Sequence, residues 1–231
     1  MKTTKILSTA LILLLSLWNL SAQTSISVQT GIHSANTNFN GLSESIPLTI
    51  DPILSLGIGI SVEHALDPLL SLRTGIHYKR KGFSTRLGTD INLGDISIPV
   101  GVKAVNTINY IDIPLMLSIS PTLGNTAVRP YLAMGPSIAY AHSGEIRTKA
   151  TAILDFTVDS TPLVLESEAY NRTEFMAQFA AGAEFPYREG FISTEIGYET
   201  ALTDFTTDAM IVDAGTRHKG LNFKIGYGLR F

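Results

Sequence analysis

The chain has 231 residues, of which 16% are charged, and a formal net charge of −3. This mildly acidic balance argues against a nucleic-acid partner, which requires clustered cationic side chains facing the phosphates. The absence of cysteine excludes disulfides, thiolate catalysis and thiolate zinc sites. The length fits a single domain.

The N-terminus has the features of a secretory signal. Lys2 and Lys5 precede an apolar run over residues 6–17, and small residues follow up to Ala22. The run is short for a spanning helix, so cleavage is the better interpretation and a retained N-terminal anchor is the alternative. We therefore predict a signal peptide over residues 1–22 and one barrel domain over residues 23–231.

Apolar residues after the signal occur in short alternating segments. No run reaches eighteen consecutive apolar residues, which excludes spanning helices. Every second residue is a large aliphatic over residues 54–62, and residues 221–231 repeat the pattern. A period of two places the apolar side chains on one face of a strand. This template predicts eight strands, at residues 24–33, 54–63, 70–79, 110–117, 131–140, 174–185, 192–202 and 221–231.

Short and long connections alternate strictly between these strands. The short ones lie at residues 65–68, 121–128 and 186–190, and the long ones at residues 34–52, 80–106, 142–172 and 203–218. Up-and-down topology then gathers the long loops at one end, as in outer-membrane barrels. The predicted fold is therefore all-β, an eight-stranded antiparallel up-and-down transmembrane β-barrel of the outer-membrane type.

Alternation alone also fits a soluble lipocalin-like barrel or a β-sandwich that buries its apolar face. Three features favour lipid on that face instead. Glycines, which suit a narrow lumen better than a solvated surface, occupy the polar face at positions 57, 59, 75, 135, 182, 197, 226 and 228. The last strand ends at Phe231, a predicted C-terminal assembly signal. Aromatic residues fall on the apolar face, several near strand ends: Tyr78, Tyr140, Phe175, Phe185, Tyr198, Tyr227 and Phe231.

The polar face carries ionisable residues that a closed barrel would enclose. Enclosed charges require partners, so we predict a lumen charge network. Its predicted members are Glu63, Arg73, His77, Lys79, Asp112, Glu174, Glu184, Glu195, Glu199, Lys224 and Arg230. Because the last two strands are neighbours, Glu195 or Glu199 should face Lys224 or Arg230. The network is either a plug or the lining of a polar conduit.

Catalytic and metal sites are not indicated. Small barrels that modify lipid A use Ser, His and an acid, and the candidate dipeptides are His33-Ser34 and His142-Ser143. Adjacent strand residues point to opposite faces, so neither dipeptide makes a good pair. The five histidines lack ligand spacing, and the acidic residues at 145, 155, 159, 166 and 168 lack the pattern of a dedicated calcium loop. We predict no enzyme activity, no metal and no cofactor.

Residues 110–115 (YIDIPL) followed by residues 129–136 (RPYLAMGP) resemble the central signature of a known family. Residues 182–185 (GAEF), 195–198 (EIGY) and 226–227 (GY) are similar to it as well. The family is that of the Bacteroidetes outer-membrane β-barrel proteins of the PorT-like type. The resemblance implies an eight-stranded barrel in the outer membrane, and it transfers no secretion role because no matching residues carry one.

Together these features predict a non-enzymatic outer-membrane barrel with a surface, structural or envelope-machinery role. The expected partners are outer-membrane lipid, the barrel-assembly machinery, and an envelope or extracellular protein bound by the long loops. A narrow transport pore is the alternative, and a lipid A-modifying enzyme comes third.

Overall fold

The computed structural model describes residues 24–40, 49–93, 96–121, 127–151, 155–167, 170–206 and 215–231. The predicted signal peptide, residues 1–22, lies outside these residues. No helix within them is long and apolar enough to cross a membrane. The described strands are β1 (Thr24–Asn40), β2 (Thr49–Ala65), β3 (Leu70–Leu93), β4 (Ile96–Ile119), β5 (Arg129–Thr151), β6 (Asp155–Pro162), β7 (Thr173–Tyr187), β8 (Gly190–Ala201) and β9 (Gly215–Arg230).

Eight of these strands form a closed antiparallel barrel, as the sequence predicts. Their order around the ring is β1, β2, β3, β4, β5, β7, β8 and β9, and pairing of β9 with β1 closes it. At the closure Phe231 N donates to Thr24 O at 2.8 Å. Closure is required in lipid because an unpaired backbone group there costs several kcal/mol.

The strands extend further than the alternating pattern indicates. Residues 80–106 were expected to be a long loop, but β3 continues to Leu93 and β4 begins at Ile96, so most of them form a projecting hairpin. β6 lies within the predicted 142–172 connection and pairs with β5 alone. The apolar alternation stops where the strands leave the lipid, whereas backbone pairing continues. The alternating pattern therefore predicted the membrane-spanning part of the strands and did not predict their external part.

The short turns lie at the same end of the barrel as Thr24 and Phe231. β2 and β3 are joined through Asp67, whose Oδ1 accepts from Leu69 N at 2.7 Å and from Leu70 N at 2.8 Å. β7 and β8 are joined by Arg188 and Glu189, and Arg188 adopts a positive φ of 53°. Short turns mark the periplasmic end of an outer-membrane barrel, so the long hairpins point outwards from the cell.

The apolar side chains form a belt on the outside of the barrel. Leu54 and Leu56 are 73% and 74% exposed, which excludes a packed core on this face. In β4 the outward aliphatics run from Ile111 to Ile119, close to the nine to eleven residues that a tilted strand needs to cross the hydrocarbon. The aromatic residues predicted for the girdle are all on this outer face. The belt therefore faces lipid, and the polar side chains face the lumen.

Candidate functional site: the charged lumen

The periplasmic end of the lumen holds two arginines and two glutamates. Arg129 lies 3.3 Å from Glu63 Oε1 and 3.5 Å from Glu184 Oε2. Arg230 also pairs with Glu184. A cavity of about 320 Å³ lies beside these groups, lined also by residues of the β2–β3 turn. The inner mouth thus contains a cavity, and its charges are paired.

One layer of side chains further in, Arg73 of β3 contacts residues of three other strands, β2, β5 and β8. Its guanidinium lies 2.7 Å from Glu63 and 2.7 Å from Glu195, and it stacks 4.2 Å from the centre of the Tyr131 ring. Glu195 also accepts from Lys224 Nζ at 2.7 Å and from the Tyr131 hydroxyl at 2.9 Å. These charge-assisted hydrogen bonds connect the strands across the middle of the barrel.

The outer half of the lumen is organised around Lys79 and Lys81. Lys79 pairs with Glu199 and lies 3.0 Å from Asp112. Lys81 lies 3.6 Å from Glu199 and 3.8 Å from Glu174. Two histidines complete the group, with His33 Nε2 3.2 Å from Glu199 and His218 Nδ1 2.8 Å from Glu174.

Charges in the described lumen are balanced. Six carboxylates face six permanent cations, and every one of these groups takes part in at least one ion pair. The carboxylates are Glu63, Asp112, Glu174, Glu184, Glu195 and Glu199, and the cations are Arg73, Lys79, Lys81, Arg129, Lys224 and Arg230. Balance of this kind keeps the low-dielectric interior neutral, because an unpaired buried charge is costly.

The outer mouth of the lumen is covered by apolar side chains from the external connections. Leu165 and Phe205 are 5% and 4% exposed, and they pack with Ile108 and Met176 of the barrel wall. The Phe205 ring stacks 5.2 Å from that of Tyr170. A bridge between the backbones at Tyr170 and Thr206 ties the two connections together. On the outer side the charged layers are therefore covered by an apolar cap, defined here by Leu165, Tyr170 and Phe205.

The structure places all eleven predicted network residues on the inner face. Of the pairs expected between the last two strands, Glu195 does face Lys224, whereas Arg230 pairs with Glu184 of β7. The remaining predicted member, His77, forms a hydrogen bond between its Nε2 atom and Ser61 Oγ, 2.9 Å apart. Sequence reasoning missed Lys81 because it assigned that position to a loop. It also missed Arg129, although the residue stands in the family-like segment.

In the described residues, neither histidine–serine dipeptide has a hydrogen bond between its own two side chains. His33 points into the lumen, whereas Ser34 takes the opposite face of β1. Ser143 instead accepts from Asn109 Nδ2 at 2.9 Å. The described residues contain no group of three or more His, Cys, Asp or Glu placed to hold a metal. Asp155 and Glu168, two of the loop carboxylates weighed for calcium, lie where no side chain is described.

A closed barrel with an outward apolar belt, short turns at one end and long hairpins at the other defines an outer-membrane β-barrel protein. Residues 21–207 match the sequence model of the family described as "Outer membrane protein beta-barrel domain". The chain belongs to that family and resides in the outer membrane.

Solved outer-membrane proteins resemble the chain at low sequence identity. OprG from Pseudomonas aeruginosa is 14% identical, with 91% of this chain and 96% of that one covered at a TM-score of 0.46. Ail of Yersinia pestis is 13% identical, with 91% and 100% covered and a TM-score of 0.39. A major outer membrane protein from Thermus thermophilus is 12% identical, with 91% and 100% covered and a TM-score of 0.42. No curated protein matches significantly.

Proposed function

We propose that this protein is a non-enzymatic, non-conducting outer-membrane barrel whose external hairpins recognise a surface or envelope partner. The charge-balanced lumen beneath the apolar cap is the observation that carries the proposal. In this function the barrel is a rigid base, and the working surface is the part that projects beyond the membrane.

The lumen supports a plug better than a conduit. Arg73 and Glu195 join across the interior at 2.7 Å, and Lys79 joins Asp112 and Glu199 one layer further out. A solute or ion would have to break these pairs and displace the apolar cap. Each broken pair leaves buried charges without partners, which costs several kcal/mol.

The external hairpins offer the contact surface. β3 and β4 each have 24 residues, about twice what the hydrocarbon requires. β6 adds an outer edge to β5 and carries two exposed apolar side chains, Phe156 and Val158. An unpaired sheet edge that exposes apolar side chains to water is typical of protein-binding surfaces.

The arrangement of serine and histidine supports a non-enzymatic role. Ser61 and His77 do form a hydrogen-bonded pair, but both are buried in the lumen between charged layers. Nucleophilic catalysis needs substrate access and a third group that orients the histidine. In the described residues, the only side-chain hydrogen bond of His77 is the one to Ser61.

The PorT-like subfamily is part of the same proposal. Asp112, Arg129 and Tyr131 lie in the segments that carry the resemblance, and all three bond within the lumen. Glu184 and Glu195, from the other similar segments, are their partners or neighbours in the network. The shared residues therefore fit a role in building the plug, which explains why the resemblance identifies a fold more readily than an activity.

Single-channel recording in planar bilayers tests the sealed lumen. The refolded protein should give no stepwise conductance, and detergent without protein is the matched control. Stepwise conductance would overturn the plugged barrel and favour the narrow pore, the alternative that the cavity at the inner mouth beside Arg129 supports. Lipid A mass analysis of a deletion strain tests the enzyme alternative, and an altered lipid A would support it.

Cross-linking and affinity capture from intact outer membranes tests the external surface. The matched control replaces residues 87–102, the tip of the β3–β4 hairpin, with a two-residue Asn-Gly turn and leaves the belt intact. We expect the full chain to capture a partner that the shortened chain does not. Equal capture by both chains would count against this hairpin as the binding surface.

A further inference from the structure

Cations continue the outer face of the barrel beyond its aromatic row. Tyr78, Ile111 and Tyr140 pair in one row across β3, β4 and β5, and outward of this row the side chains on the same face of these strands are mainly polar or charged. Arg80 follows two residues after Tyr78 on the same face. Further out, Val105 pairs with Arg147. The outermost of these rows aligns Arg86, Lys103 and Lys149.

A groove brings four of these cations together. β2 and β3 lose their register between Pro52 and Ile58, and the gap opens a groove of about 530 Å³ on the outer wall. Its polar side is lined by Arg80, Lys103, Arg147 and Lys149. Its apolar side is lined by Leu54, Leu56 and Tyr78.

The groove has an excess of positive charge. No carboxylate of the described residues lines it. Glu145 lies on the same face and pairs with Arg147, and Asp51 is aligned with Ser84 at the edge of the groove. At the opposite rim of the barrel the turn carries Arg188 beside an adjacent glutamate. Within the described residues, the cluster of cations on the lipid-side wall is therefore a feature of the outer end.

We infer that this groove binds the phosphorylated headgroup of a glycolipid of the outer leaflet, with an acyl chain against Leu54 and Leu56. The groove offers such a lipid both kinds of contact that it needs, aliphatic side chains of β2 and cations of β3, β4 and β5. Guanidinium groups bind phosphate oxygens in a bidentate manner, and lysines add point charge. Lipid is favoured over a soluble protein as the occupant because Leu54 and Leu56 continue along β2 into Ile58 and Ile60 of the belt, so the groove is continuous with the lipid-facing surface.

Lipid binding to the refolded protein in detergent, measured by native mass spectrometry, tests the inference. The probe is phosphorylated lipid A, with dephosphorylated lipid A and the deacylated phosphosugar as comparisons. The test variant is R80Q/K149Q, because neither side chain pairs with an acid in the described part of the chain. The control R188Q/K219Q removes the same charge from the inner rim and from β9, away from the groove.

We expect R80Q/K149Q to weaken binding of lipid A at least about tenfold, the equivalent of about 1.4 kcal/mol, and the control to stay within about twofold. Charge-conserving R80K/K149R should retain binding, and wild-type protein should bind both comparison compounds weakly. Wild-type affinity in R80Q/K149Q, an equal loss in the control, or tight binding of dephosphorylated lipid A would overturn the inference. Tight binding of the deacylated phosphosugar would overturn the proposed contact of an acyl chain with Leu54 and Leu56. Gel mobility without boiling verifies that each variant is folded.

Discussion

Arg73 of β3 and Glu195 of β8 form an ion pair of 2.7 Å across the lumen, although three strands separate them around the ring. Glu195 is shared further with Lys224 and with the hydroxyl of Tyr131. A single carboxylate therefore connects four strands through the middle of the barrel.

Replacement of Glu195 by alanine should be strongly destabilising. The buried Arg73 would keep only Glu63 as an ion-pair partner, and the partly buried Lys224 would lose its ion pair with Glu195. Breaking a buried pair costs about 3–5 kcal/mol. Urea titration of the protein in lipid vesicles, followed by gel mobility, measures the free energy of unfolding. The matched control is Glu189→Gln in the exposed β7–β8 turn, which should change stability by less than about 0.5 kcal/mol. Equal stability of the two variants would show that the central pairs are dispensable.

The orientation of the belt can be measured with single tryptophans. Trp18 is the only tryptophan of the sequence and lies in the predicted signal peptide, so a chain that starts at Gln23 has none. Ile113→Trp should be quenched strongly by brominated lipid, because Ile113 is half exposed on the outer face. Phe191→Trp, a buried lumen position, should be quenched weakly. Reversed quenching of the two variants would invert the barrel faces.

The glycines of the inner face should differ in their tolerance of alanine. At Gly135 an added Cβ would collide with the backbone of β4 at Leu115 and Met116. We expect Gly135→Ala to destabilise the barrel by about 1–3 kcal/mol, as overpacking does. At Gly57 the nearest atom, Tyr78 O, would be 3.2 Å away, so Gly57→Ala should cost less. The same urea titration ranks the two variants, and the opposite ranking would contradict the prediction.

The role of Phe231 in assembly stays a prediction that one substitution tests. The side chain is exposed on the lipid side, and only the backbone of Phe231 bonds to Thr24. Phe231→Ala should therefore refold normally in detergent but accumulate less in the outer membrane of cells. Immunoblots of membrane fractions, with Phe223→Ala as the control on the same strand, measure the difference. Normal accumulation of Phe231→Ala would exclude a role as assembly signal.

The sequence predicted the strands correctly in the membrane-spanning part of the barrel, because contact with lipid imposes an alternating pattern of apolar and polar residues there. Residues 70–79 alternate because each outward position meets hydrocarbon and each inward position meets the lumen. Beyond Tyr78 that constraint ends, so Arg80 and Lys81 look like loop residues although the strand continues. The external hairpin and β6 are held by backbone bonds, which leave a weaker pattern in the side chains.

The lumen residues were predictable as a set but not as pairs. Alternation places Arg73 and Glu195 inside, and burial then demands partners. The pairing of lumen side chains depends on the relative stagger of strands that are not neighbours. The two-residue period of the sequence gives no information about that stagger. Glu195 with Lys224 was foreseeable because β8 and β9 are adjacent, whereas Arg73 with Glu195 required the closed ring.

The joining of β1 to β9 has a consequence for how the protein folds. The ring is completed by strands that lie at opposite ends of the described sequence, so its last ladder cannot form until all the intervening strands are present. A partial sheet in hydrocarbon would leave a row of backbone groups unpaired. Pairing across so long a stretch of chain is also slow. Insertion should therefore be cooperative, with no stable membrane-embedded state for a chain that lacks one of the eight wall strands.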